Sequence, residues 1–132
     1  MEGSVKELAG YRLARAREDL NTAADNLKSG SYRASVNRSY YAVFHALRAV
    51  TALDGFDSGK HSGIIAYFNL HYVKTGIFEK EVSKIIDSSY RLREKADYDD
   101  FFLASEADAS RQLEHAARVV RVIERYVNER TE

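Results

Sequence analysis

Arg38 and His45 are the residues whose types and spacing most directly indicate chemistry in this sequence. Both lie in a segment with the apolar periodicity of a long helix, Asn37-Arg38-Ser39-Tyr40-Tyr41-Ala42-Val43-Phe44-His45-Ala46. Seven residues make two helical turns, so the two side chains share one face and lie about 10 Å apart along the helix axis. Both side chains are long enough to converge on one small anionic group between them.

An arginine and a histidine on one face suit phosphoryl chemistry on RNA that needs no metal. The 2′-hydroxyl of RNA can attack the neighbouring phosphate, and a histidine with a pKa near neutral can take or give the proton. A guanidinium group can hold the phosphate oxygens and stabilise charge in the transition state. Tyr41 lies on the same face and can stack a base. We therefore hypothesise an endoribonuclease with Arg38 and His45 as catalytic residues, and with these RNA- or nucleotide-binding residues: Asn37, Ser39, Tyr41 and Arg48.

Two other interpretations of this pair stay open. The chain can be a dimeric, non-catalytic subunit that uses the Arg38/Tyr41 groove for a nucleotide or for a partner nucleotidyltransferase. Alternatively, Arg38 and His45 only satisfy hydrogen bonds across a dimer seam. His45 discriminates between the first two functions, because a nuclease needs a side chain that titrates, whereas a binding groove can use Gln or Asn at this position.

Composition excludes several other kinds of site. The chain has no cysteine, so thiolate nucleophiles, disulfides and cysteine metal sites are absent. No histidine has a glutamate three residues before it, and there is no His-Glu-x-x-His segment. We therefore expect no metal and no cofactor. The 20 basic and 20 acidic residues cancel, which counts against tight, non-specific binding of duplex nucleic acid.

The elements that position the pair are predicted to be helices. Proline is absent from all 132 residues, and apolar stripes recur at helical spacing. The expected order is a first helix over Ser4–Lys28, a turn at Gly30, a second helix to Leu53 and a loop over 54–59. A shorter helix over Ser62–Val73, a helix from Glu79 to about Asp97, and a last helix capped by Ser105 follow. This pattern predicts one all-α domain over residues 1–132, an antiparallel bundle of four long helices and one short helix.

The second helix has two faces of different character. One is an ordinary core stripe containing Val36, Tyr40 and Leu47. The opposite face lacks the lysines and glutamates of a solvated surface and carries small residues beside the functional ones: Ala34, Arg38, Tyr41, His45, Ala49 and Ala52. We infer that both faces are covered, the second by another molecule, and we expect a homodimer.

The sequence also gives an expectation for cellular location. No run approaches 18 apolar residues, so no segment is expected to cross a membrane. The first residues, Met1-Glu2-Gly3-Ser4-Val5-Lys6, lack the apolar core of a signal peptide. We therefore expect a cytoplasmic protein.

Three sequence blocks resemble the HEPN-domain family. Asn37–Ala46 resembles the family signature, an arginine followed after a few residues by a histidine on one helix. The blocks Gly59-Lys60-His61-Ser62-Gly63 and Arg93-Glu94-Lys95-Ala96-Asp97-Tyr98 resemble those of a subgroup of small stand-alone members. The resemblance is carried by three blocks in order and covers nearly the whole chain.

The resemblance implies a function and partners. HEPN domains are helical bundles, usually dimeric, and many members resemble RNA-cleaving toxins or defence ribonucleases, often paired with a small nucleotidyltransferase antitoxin. Arg38 and His45 match the arginine and histidine of the motif, and the later block adds Arg93, Asp97 and Tyr98 as supporting residues. Ser39 departs from the Asn, Asp or His that often follows the arginine in active ribonuclease members. Leu47 stands where one toxin group has a tyrosine, so that group's tyrosine modification is not expected here.

Overall fold

Five α-helices and no β-strand make up the described part of the chain, residues 2–132 of a computed structural model; Met1, part of the N-terminal segment considered above, lies outside it. A π-helical segment, Asn69–Val73, continues the third helix. The helices are α1 (Glu2–Lys28), α2 (Tyr32–Leu53), α3 (His61–Phe68), α4 (Lys80–Tyr98) and α5 (Glu106–Arg130). The predicted all-α bundle of four long helices and one short helix is confirmed.

The short turn between α1 and α2 makes these two helices antiparallel neighbours. Gly30 has a φ of 80°, a conformation that glycine adopts without steric cost. Ser31 occupies the N-cap position of α2 as predicted, but its side chain makes no capping hydrogen bond. The first two helices are therefore joined by only three residues and pack along their lengths.

α2 is the central element, because α1, α3, α4 and α5 all pack against it. Thirteen of its 22 residues are buried. The predicted core stripe of α2 is entirely inside, with Val36, Tyr40, Val43, Leu47 and Val50 almost fully buried. Burying one large apolar side chain contributes roughly 1.5–3 kcal/mol, so this helix anchors the core and fixes the side chains that it presents outward.

The second face of α2 is covered mainly by the chain itself, which corrects the inference made from its small residues. Ala49 and Ala52 are buried within the monomer and need no partner molecule. Ala49 belongs to the same core cluster as Ala9, Leu13 and Ala16 of α1. Ala34 is exposed, and Arg38, Tyr41 and His45 are only partly buried. The open part of this face is therefore the part that carries the candidate functional residues.

The remaining connections follow the sequence signals with small shifts. Predicted over Ser62–Val73, the third helix begins at His61 and changes to π geometry at Asn69. Ser105 caps α5, because its Oγ accepts a hydrogen bond from the N–H of Asp108 at 3.0 Å. In the connection between α4 and α5, Phe101 is 94% exposed and Leu103 is 89% exposed. Among the described residues, no helix is both long and apolar enough to cross a membrane.

Candidate functional site

α2 presents Arg38, Tyr41, His45 and Arg48 at intervals of three or four residues, so that they form one row along the helix surface. All four are partly buried. The other side of α2 packs into the core, so rotating this row away would expose that buried side. Arg38 and His45 therefore share one face, as predicted, of a helix that the core holds in place.

Asp19 of α1 lies between Arg38 and His45. Arg38 Nη1 donates a hydrogen bond to Asp19 Oδ1 at 3.2 Å, and His45 Nε2 is 3.4 Å from Asp19 Oδ2. The His45 contact is close enough for an ion pair when the ring is protonated, but it is not aligned as a hydrogen bond. Asp19 is only 7% exposed. The two α2 side chains thus converge on one carboxylate supplied by the neighbouring helix.

The surroundings of His45 lower its pKa below the ordinary value. Burial contributes most, because it disfavours the charged imidazolium. Asp19 acts in the opposite direction, whereas Arg15, Arg38 and Arg48 lower the pKa further through their positive charge. The shift favours the neutral form of His45, the state in which it can accept a proton.

A second branch of the site connects Arg38 to α4 through Asn37. Arg38 donates to Asn37 Oδ1 from Nη2 at 2.8 Å and from Nε at 3.1 Å. Asn37 Nδ2 in turn donates to both Asp97 oxygens, at 3.1 and 3.2 Å. The Asp97 carboxylate is 2.9 Å from Arg93 Nε, as expected from their spacing of four residues. Arg38 is therefore held from two sides, by Asp19 and by Asn37.

Tyr41 is surrounded by positive charge. The Arg93 guanidinium donates a hydrogen bond to the Tyr41 hydroxyl at 3.0 Å. The Arg38 guanidinium carbon lies 4.9 Å from the centre of the Tyr41 ring, and that of Arg93 lies 5.4 Å from it. Both distances are typical of cation–π contacts. A base that stacks on Tyr41 would have to displace one of these two guanidinium groups.

Three other predicted residues occupy different surroundings. Ser39 is fully buried, and its hydroxyl has no hydrogen-bond partner within residues 2–132, so it lies away from the open surface. Arg48 Nη2 donates hydrogen bonds to both carboxylate oxygens of Asp57, at 3.1 and 3.2 Å. Tyr98 is largely exposed at the end of α4, with its ring 5.9 Å from the Arg93 guanidinium carbon.

Asp19, Tyr40 and His61 were not among the residues predicted for this site. His61 is the first residue of α3, and its Nδ1 is 2.8 Å from the Tyr40 hydroxyl. Its ring centre is 5.8 Å from that of Tyr41. A signal for His61 was present in the second sequence block, but no local pattern links Asp19 to Arg38. That contact requires the packing of α1 on α2.

Gly63 allows the loop before α3 to approach that helix closely. A Cβ atom at this position would lie 2.9 Å from Ser58 Cβ, a distance that would force the backbone apart. The Ser58 hydroxyl also accepts a hydrogen bond from the N–H of Lys60 at 3.2 Å. The glycine of the second sequence block therefore fits the loop that places His61 beside α2.

A family model and several curated relatives match the chain. The model described as HEPN domain matches residues 9–126. The chain belongs to the HEPN domain family. The family inferred from the three sequence blocks is thereby confirmed.

Relatives of this HEPN chain occur in bacteria and archaea. A UPF0332 protein of Thermotoga maritima is 32% identical over 124 residues, which are 94% of each chain. A protein of Methanocaldococcus jannaschii named "Putative toxin MJ0605" is 40% identical over 83 residues, 63% of this chain and 62% of the relative. A UPF0332 protein of Pyrococcus horikoshii is 42% identical over 72 residues, 54% of this chain and 51% of the relative. The names of two relatives from Methanocaldococcus jannaschii, each called a "Putative toxin", support a toxin-like family.

Proposed function

We propose that this HEPN protein is a metal-independent endoribonuclease of the toxin type, with its active site at Arg38 and His45. One observation carries the proposal: both side chains reach the same carboxylate, that of Asp19. Two cationic or titratable groups that converge on one anionic group are arranged to receive a phosphate oxygen. The toxin-like names of relatives give independent support.

Each residue of the site has a defined role in the proposed reaction. With Nε2 turned toward Asp19, His45 keeps Nδ1 free to accept the proton of the RNA 2′-hydroxyl. The 2′-oxygen then forms a bond to phosphorus while the bond from phosphorus to the 5′-oxygen breaks. Arg38 holds the non-bridging phosphate oxygens and stabilises their developing charge. The leaving 5′-oxygen takes up a proton, so the products are a 2′,3′-cyclic phosphate and a 5′-hydroxyl.

Substrate binding requires Arg38 to exchange a partner. Its nitrogens bond to Asp19 and to Asn37 in this structure, so a phosphate oxygen must replace one of them. Replacing a carboxylate by a phosphate substitutes one charge-assisted hydrogen bond for another. Arg93 and Asp97 keep their contacts to Tyr41 and Asn37 and preserve the shape of the site meanwhile.

We also propose the partners that this function requires. A toxin that cleaves RNA needs to be restrained, and the family resemblance indicates an antitoxin of the nucleotidyltransferase type. A second copy of the chain would bring two Arg38/His45 pairs to one groove. RNA is the substrate in this proposal.

The test is cleavage of labelled RNA in the presence of EDTA by the wild type and by Arg38→Ala and His45→Ala. We expect each variant to lose at least about 100-fold in rate, because each removes a group that acts in the transition state. His71→Ala is the matched control, since His71 is exposed on the π-helical segment. Circular dichroism checks that the helices persist. Equal cleavage by the wild type and both site variants would refute the assignment.

A nucleotide-binding accessory subunit is the second candidate, and a hollow beside the site favours it. This hollow has a volume of about 650 Å³ and is lined by Tyr32, Arg33, Asn37, Asp97 and Leu103, among others. The volume is within the range of ligand sites. Calorimetric titration with nucleotides separates the two functions, because a binding subunit retains its affinity in His45→Gln and cleaves no RNA.

A further inference from the structure

His61 is held in one orientation by contacts with the core. Its Nδ1 lies 2.8 Å from the Tyr40 hydroxyl, and its ring stacks on Phe44 with 3.9 Å between ring centres. Both partners are buried residues of α2. Because Nδ1 is engaged by Tyr40, Nε2 is the ring nitrogen that remains for another partner.

The ring of His61 borders an open hollow at the Arg48 end of the row of α2 side chains. The hollow has a volume of about 480 Å³ and is also lined by Phe44, Arg48, Asp57, Ser58 and Gly59. A pocket of this size admits a nucleotide-sized group. His61 therefore combines a fixed ring, a free nitrogen and access to solvent.

Both histidines are neighbours of Tyr41. Its ring centre lies 6.2 Å from that of His45 and 5.8 Å from that of His61. The guanidinium groups of Arg38 and Arg93 contact the same ring. Two titratable imidazoles and two guanidinium groups around one tyrosine are the residue types that in-line phosphoryl transfer uses, namely a base, an acid and groups that hold the phosphate.

We propose that His61 is the general acid that protonates the leaving 5′-oxygen when His45 takes the proton of the 2′-hydroxyl. This inference rests on RNA cleavage being the function of the site. In the step, the bond from the 2′-oxygen to phosphorus forms and the bond from phosphorus to the 5′-oxygen breaks. One proton moves to His45 and one leaves His61 Nε2. Exchange with water then restores both rings.

Tyr40 suits both protonation states of His61. A phenol hydroxyl can donate to a neutral Nδ1 and accept from a protonated one. Burial raises the pKa of Tyr40, so the hydroxyl keeps its proton throughout. His61 can therefore gain and lose a proton without losing its orienting partner.

The charges around both rings determine the expected pH dependence. For His61, burial lowers the pKa most, Arg93 of α4 and Arg48 of α2 lower it further, and Glu94 of α4 opposes them. His45 is also shifted below the ordinary value of 6.5. The reaction needs neutral His45 and protonated His61, so kcat/KM should be bell-shaped. Since both pKa values lie below 6.5, its maximum should lie below pH 6.5.

The test compares ordinary RNA with RNA that carries a sulfur atom in place of the 5′-bridging oxygen at the cut. Thiolate leaves without being protonated, so this substrate does not need the acid. The variant is His61→Asn, whose amide can still meet the Tyr40 hydroxyl while Nε2 is lost. Exposed His71→Gln is the matched control. Melting followed by circular dichroism reports folding, and His61→Gln replaces His61→Asn if the latter unfolds.

The expected result is a loss of about 100-fold or more by His61→Asn on ordinary RNA, with the rate restored to within about tenfold of wild type on the sulfur substrate. His45→Ala should be slow on both substrates, and His61→Asn should lose the decline in rate above the pH maximum. Wild-type rates in His61→Asn, or equal losses on both substrates, would overturn the acid role while leaving the proposed function intact. No cleavage of ordinary RNA by the wild type would overturn both.

Discussion

At the scale of residues, the candidate site depends most on Asp19. Its carboxylate is almost buried and contacts both Arg38 and His45. The negative charge of Asp19 raises the His45 pKa, and Asp19→Asn replaces this charge with a neutral amide. We predict that the His45 pKa, followed by NMR, falls further below that of the wild type, and that cleavage falls about 10- to 100-fold.

The control for this prediction lies on the same helix. Asp25 of α1 is exposed, so Asp25→Asn should leave both the His45 pKa and the cleavage rate unchanged. An unchanged His45 pKa in Asp19→Asn would show that the carboxylate does not interact with the ring in solution.

The residues that sequence could identify are those related by local spacing. Arg38 and His45 could be placed on one face because seven residues define two turns of one helix. The 2.9 Å contact between Arg93 and Asp97 is of the same local kind, because residues four apart are neighbours on a helix surface. Asp19 could not be connected to Arg38, because the register between two helices depends on how their side chains interlock.

At the scale of elements, the N-terminal cap of α5 can be tested by substitution. Ser105 satisfies one of the free N–H groups of the first turn. We predict that Ser105→Ala lowers the free energy of unfolding by about 1 kcal/mol, measured as a lower urea midpoint with an unchanged slope. Ser110→Ala, at an exposed position of the same helix, should be neutral or slightly stabilising. Similar midpoints for the two variants would contradict the capping role.

Apolar periodicity predicted where the helices lie, but it did not predict which element covers each helix face. Small residues such as Ala49 indicated correctly that the second face of α2 is approached closely. They could not show whether the covering helix belongs to the same chain. α1 provides that cover, which leaves only the portion around Ala34, Arg38, Tyr41 and His45 open. The π geometry of Asn69–Val73 had no signal in the sequence that we could identify.

At the scale of the whole molecule, three strongly exposed large side chains lie at the end of α4 and in the connection between α4 and α5. Phe101, Leu103 and Tyr98 are 94%, 89% and 72% exposed, and large exposed apolar groups typically mark interaction surfaces. Leu103 also lines the hollow that contains Asn37 and Asp97. We propose that a second copy of the chain packs here, beside the candidate site.

This proposal predicts a dimer at micromolar concentration. Sedimentation of the wild type should give the mass of two chains, and the double variant Phe101→Ser, Leu103→Ser should give that of one. Leu70→Ser is the control, since Leu70 is exposed elsewhere on the surface. A monomeric wild type, or a double variant that remains dimeric, would contradict the proposed interface.

The most direct test of the whole account is the role of the substrate's own 2′-hydroxyl. Wild-type protein in EDTA is given one defined RNA, and the same RNA with hydrogen in place of the 2′-hydroxyl at the cut nucleotide; the product ends are then identified. We predict that only the first is cut, leaving a 2′,3′-cyclic phosphate and a 5′-hydroxyl. Cleavage of the modified RNA at the same position, or products that end in a 5′-phosphate, would contradict the role proposed for Arg38 and His45.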